Sequence, residues 1–144
     1  MKELSKIDTV LENKIIETIS LGNELDDNKR YDEALEKYDE AFSLLPEPKF
    51  EWEMISAWLV GCYFNAYFAM GNYLKAKEWA YLELKHRSSD IDITPYINIG
   101  MASFEMNEVD EAYKNFDVAY KYGQERPFKE YPKKYLKFYL ERKS

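Results

Sequence analysis

A chain of 144 residues has the length of one ordinary domain and can bury a core without disulfide or metal staples. Its 46% hydrophobic and 33% charged residues exclude intrinsic disorder, and a 17% aromatic share, with 13 Tyr and 8 Phe, calls for helices packed through large side chains with polar tips. The net charge of −7 is uneven, with seven Lys+Arg against thirteen Asp+Glu over residues 1–49, four against six over 50–92 and nine against eight over 93–144, so the acidic amino-terminal third repels nucleic-acid phosphates and favours a basic partner.

In chain order, the opening residues 1–8 carry acids and no apolar stretch of signal type, so export by that route is not expected. Ser5 and Asp8 give start signals for a first helix over 6–27, and a second follows over 31–45. Pro46 and Pro48 forbid its continuation, which predicts a longer loop and then a third helix over 50–70, stopped at Gly71. The apolar run from Ile55 to Met70 is broken by Ser56, Gly61 and Asn65 and falls short of the roughly 20 residues that span a bilayer, so it reads as a buried helix and no membrane is expected. Helices over 73–87, 95–106 and 109–122 come next, with Thr94 expected to cap and Pro95 to open the fifth, and Gly123 to stop the sixth. A last helix over 132–142 has Pro132 in its first turn and Tyr135, Leu136, Phe138, Tyr139 and Leu140 as its apolar side.

Three of these helix pairs align. Leu21-Gly22 and Leu25 precede Ala34, Tyr38, Ala41 and Pro46; Tyr63-Phe64 and Tyr67 precede Ala76, Ala80 and Glu83; Ile99-Gly100 and Ser103 precede Ala112, Phe116 and Ala119. Small residues let two helix backbones approach while the large rings fill the grooves beside them. The key alanines at 34, 76 and 112 stand 42 and 36 residues apart, which places extra residues in the links around Pro46 to Trp52 and around Ser88 to Pro95.

These residues carry a resemblance to the tetratricopeptide-repeat (TPR) family, whose unit is a helix-turn-helix of about 34 residues. The run Asn65-Ala-Tyr-Phe-Ala-Met-Gly-Asn-Tyr-Leu-Lys-Ala76 resembles its pattern most, and Tyr31-Asp-Glu-Ala34 with Ala41 and Pro46 nearly as well. The resemblance implies an all-α, TPR-like right-handed superhelix: one domain over 1–144, repeats over about 15–48, 57–90 and 93–126, and a C-terminal capping helix over about 132–142. It further implies that the first helix of each pair lines a concave, partner-binding face. Carrying the register across nominates Asn23, Asp26 and Asp27, then Trp58, Cys62, Asn65 and Phe68, then Thr94, Asn98, Met101 and Glu105. The clamp with which one TPR subclass holds a C-terminal carboxylate needs cations here, whereas the corresponding positions supply Ile19, Asn23, Cys62, Thr94 and Asn98. An acidic and aromatic groove of this kind suits a basic or amphipathic protein or peptide.

The tail Phe128-Lys-Glu-Tyr-Pro-Lys-Lys-Tyr-Leu-Lys-Phe-Tyr-Leu140 resembles the ending of some small bacterial TPR proteins encoded beside polymorphic (Rhs-type) toxins. That resemblance implies an immunity protein whose partner is a toxin domain. The alternative is a scaffold or assembly subunit that self-associates or bridges a complex through exposed tyrosines. Seven Lys+Arg against two acids between Arg126 and Lys143 make the tail basic, but the acidic remainder argues against nucleic acid.

Chemistry is not expected. His86, the sole histidine, reads as a helix-terminus group beside Lys85 and Arg87, and the acidic pairs Asp26-Asp27 and Glu33/Glu36 follow from the abundance of acids. There is no nucleophile elbow, phosphate-binding glycine loop or metal-ligand spacing, so no enzyme, cofactor or metal site is expected. Cys62, the only cysteine, allows the reducing, cytoplasmic compartment.

Overall fold

The computed structural model describes residues 3–4, 7–87 and 89–144. Among these the chain is all-helical, with no strand: α1 (Thr9–Asp27), α2 (Tyr31–Leu44), α3 (Glu53–Ala69), α4 (Tyr73–His86), α5 (Thr94–Glu105), α6 (Val109–Gly123) and α7 (Lys133–Lys143). They gather into two compact units, Met1–Asn72 and Tyr73–Ser144. Among the described residues no helix is long and apolar enough to cross a membrane.

Helix ends depart from the sequence reading where a local bond intervenes. The Asp8 carboxylate accepts the Leu11 N–H at 3.0 Å, so α1 opens at Thr9; Ser5 lies outside the described residues. A short 3-10 turn at Lys49–Glu51 delays α3 to Glu53. Thr94 does not cap α5: it already lies in the helix, and its own N–H is held by the Asp92 carboxylate at 3.2 Å. Pro132 stands just before α7 rather than within its first turn, and Gly123 is the last residue of α6, leaving Gln124 to take the positive φ of 60°.

In the first unit α1, α2 and α3 pack around Ile15, Ile19, Tyr38, Leu59 and Tyr63, all buried. Gly22 is required there: a Cβ on it would sit 2.5 Å from Cε1 of Tyr38. The long link to α3 is tied down from within. Lys49 Nζ donates to the carbonyls of Phe42 (2.9 Å) and Leu45 (2.8 Å), satisfying the end of α2, and Trp52 Nε1 donates to the Pro46 carbonyl at 2.9 Å.

In the second unit α5 lies between α4 and α6, and Gly100 of α5 faces the ring of Phe116 in the same manner. The helix α7 closes this unit with aromatic side chains. Tyr135 meets Phe104 (centroids 5.4 Å apart) and Phe116 (5.9 Å), while Tyr139 meets Tyr113 (5.1 Å) and Tyr120 (4.9 Å).

Three turns share one geometry. The N–H groups of Arg30, Asn72 and Glu108 each donate to a carbonyl five residues back, on Leu25, Tyr67 and Ser103, at 2.9 Å in every case. Between them Lys29, Gly71 and Asn107 take positive φ, 62°, 81° and 62°. Their spacings of 42 and 36 match those of Ala34, Ala76 and Ala112. Only the middle turn uses the residue without a Cβ penalty, and asparagine tolerates the region better than lysine. Lys29→Gly should therefore stabilise the chain by about 0.5–1 kcal/mol and Asn107→Gly by less, read as a rise in denaturation midpoint at unchanged m-value.

Candidate functional site

The first unit carries an apolar groove of about 500 Å³ walled by Ile16 of α1 and Ile55, Met54 and Trp58 of α3, with Leu4 and Trp52 in its lining and Glu3 and Glu12 on its rim. Helical spacing builds both walls, since Glu12 and Ile16, like Met54 and Trp58, stand four apart and share a face. Large apolar groups are left open to water: Met54 is 65% exposed and Trp58 39%. The groove thus combines an apolar wall and a solvent-open aromatic ring with two carboxylates in its lining.

Beside it a polar cluster is already occupied. Asn23 Oδ1 accepts from the Tyr38 hydroxyl at 2.6 Å and from the Cys62 thiol at 3.2 Å. Burial pushes the Cys62 thiol up to about 11, against the bonds from Asn23 and Tyr38, so at neutral pH it is a donor and not a nucleophile. Burial, with Asp27 adding like charge, raises Asp26 above its ordinary value.

The second unit has a half-buried carboxylate of its own, Glu83. Asn98 Nδ2 donates to Glu83 Oε1 at 3.3 Å, yet burial and then the charge of Asp92 raise Glu83 to about 7. The folded chain thus holds this proton more tightly than the unfolded chain does. Stability from this group is complete below pH 4.5 and declines as pH rises towards 7. Glu83→Gln keeps an oxygen for Asn98 and removes the charge, so it should stabilise by about 1–3 kcal/mol at pH 8 and by little at pH 4, checked by urea unfolding at both values.

Basic charge collects around a second cleft, of about 630 Å³, between the segment 125–131 and α7. Phe128, Tyr131, Leu136 and Leu140 form its apolar lining; Arg126, Lys129, Lys133 and Lys137 surround them, with Glu125 and Glu141.

The residues nominated from sequence do not all converge. Asn23 and Cys62 meet directly, with Asp26 close enough to act on both Cys62 and Tyr38 and Asp27 next to it in sequence. Trp58 lines the apolar groove, Asn65 is exposed, and Phe68 stacks on Phe64 at 5.5 Å. In the second unit Thr94 is exposed, Asn98 and Met101 are buried, and Glu105 is held by Tyr135 Oη at 2.7 Å and Lys134 Nζ at 2.8 Å. Ile16, Met54, Glu3 and Glu12 were missed by the sequence reading. The four-residue pairing of Met54 with the nominated Trp58 was the available signal. Comparison with known proteins finds no matching family model, no similar curated protein and no similar solved structure.

Proposed function

We propose that the chain is a non-catalytic, cytoplasmic protein-interaction module of TPR type that takes a basic or amphipathic protein segment. The observation that carries this reading is the groove in which exposed Trp58 and Met54 stand beside Ile16 under a rim of Glu3 and Glu12. Three turns of identical bonding in the register of the alanines support the repeat architecture. The protonated, bonded state of Cys62 accords with a non-catalytic role. Titration calorimetry with a synthetic leucine–lysine amphipathic helix tests the binding surface: Trp58→Ala should weaken binding about tenfold or more, and equal affinity for both proteins would remove the groove from the reading.

Within this reading the partner class favoured by the tail is a bacterial toxin domain, with the chain as its immunity protein. Co-expression with the product of the adjacent gene should give a complex on size exclusion and restored growth. Absence of both sinks the immunity version and leaves a general binding module.

A further inference from the structure

The helix α7 has two apolar faces. Tyr135 and Tyr139 are buried, the first against Phe104 and Phe116 and the second against Tyr113 and Tyr120. Leu136 and Leu140, also one turn apart, line the cleft of about 630 Å³ and are only half-buried. The other wall, the segment 125–131, is fixed in place. Phe128 is buried, with its ring 5.7 Å from that of Phe116 and 6.4 Å from that of Tyr139, and its carbonyl accepts the Tyr131 N–H at 3.1 Å. The cleft is therefore built by the packing of the unit and stands ready for an apolar guest.

Charge differs between the two faces as well. The remaining cations of α7 are committed within the unit: Lys134 pairs with Glu105 at 2.8 Å, Arg142 pairs with Asp110, and Lys143 lies over the rings of Tyr120 and Tyr139. At the cleft, Lys137 stands 4.0 Å from Glu141, the limit of an ion pair, and Glu125 is the second acid of the lining. Arg126, Lys129 and Lys133 have no ion-pair partner among the described residues. Four cations against two acids give the lining a net +2, on a chain whose net charge is −7. Uncompensated cations beside half-open leucines at helical spacing complement a helix with one apolar and one acidic face.

We propose that this cleft docks an acidic amphipathic helix of another protein, whose apolar residues one turn apart lie against Leu136 and Leu140 while its carboxylates meet Arg126, Lys129 and Lys133. The site lies wholly in the second unit and stands or falls apart from the groove of the first.

Fluorescence anisotropy of the full chain with a labelled synthetic helix of leucine, alanine and glutamate tests the cleft. Wild type is expected to bind it, and to bind a peptide of the same charge with glutamine in place of leucine at least about tenfold more weakly. Lys129→Glu with Lys133→Glu should weaken binding of the leucine peptide at least about tenfold. Lys85→Glu with Lys114→Glu makes the same charge change at exposed lysines outside the cleft and should weaken it less than about threefold. Circular dichroism checks that both variants keep their helix, and the peptide comparison, made on the unaltered chain, decides even where a variant does not fold. No binding by wild type, equal affinity for the two peptides, or equal losses in the two double variants each overturns the proposal. Cosedimentation with phosphatidylglycerol vesicles without binding of the helix assigns the cations to a lipid surface and overturns it too.

Discussion

Tyr135→Ala should destabilise the chain by about 3–5 kcal/mol, a large part of the total stability of a domain this size. The side chain is 2% exposed and fills the space between α5, α6 and α7, against Phe104 and Phe116. Removing the ring leaves a cavity walled by other rings, which do not collapse easily into the gap. Its hydroxyl has a separate role. It donates to Glu105 at 2.7 Å, and although burial pushes the Glu105 carboxyl up, the bonds from Lys134 and Tyr135 outweigh that and hold it below its ordinary value. A carboxylate with a lowered folded-state value contributes stability above its unfolded value of about 4.5, lost as pH falls through the folded one. Tyr135→Phe keeps the ring and should cost only about 1 kcal/mol at pH 7, with the cost shrinking in acid as Glu105 protonates. Urea unfolding of both variants at pH 7 and pH 3 separates the ring from the hydroxyl; equal losses for Ala and Phe would show that packing is not what α7 supplies.

The same pair of roles explains the unusual tyrosine content. Tyr63 donates to Asp39, Tyr81 to Glu111, Tyr135 to Glu105 and Tyr139 to Asp117, at 2.5–2.7 Å, so each tip is held by a carboxylate of another helix; the rings of Tyr63, Tyr135 and Tyr139 are buried between helices, while that of Tyr81 stays open to water. The sequence shows the abundance of tyrosines and of acids but not their pairing, since partners lie 22 to 30 residues apart and only helix packing brings them together. Helix positions, by contrast, were legible. Pro46, Pro48 and Gly71 act on the backbone locally, and the alanine spacing reports which helix face must be small. What escaped were the ends where a neighbouring side chain decides, as at Thr94, whose N–H is taken by Asp92.

Site residues were less legible for a related reason. An asparagine on the first helix of a pair is chemically suited to a peptide backbone, but the same amide suits an interhelical bond. Asn23 accepts from Tyr38 and Cys62, and Asn98 is buried against Glu83. The groove that remains open is made by residues whose sequence neighbours look ordinary. Ile16 and Met54 stand 38 positions apart, each beside a buried isoleucine, Ile15 and Ile55, and exposure rather than identity marks them.

Gly100→Ala should cost about 1–3 kcal/mol even though alanine favours a helix interior over glycine by about 1 kcal/mol. The added Cβ would land on the Phe116 ring, and that ring has no room to retreat. It is fully buried and already meets Phe128 at 5.7 Å, Tyr135 at 5.9 Å and Phe138 at 6.3 Å. Either α5 and α6 separate, opening voids along the whole crossing, or Phe116 leaves its rotamer; both are penalised in a close-packed interior. Phe116→Leu alone removes ring contacts and should also destabilise. In the double variant the smaller side chain makes space for the methyl group, so the combined loss should fall short of the sum of the single losses by about 1 kcal/mol or more. Thermal and urea unfolding of the four proteins closes this cycle. Additive losses would mean that the glycine serves the helix backbone and not the close approach of α5 to α6.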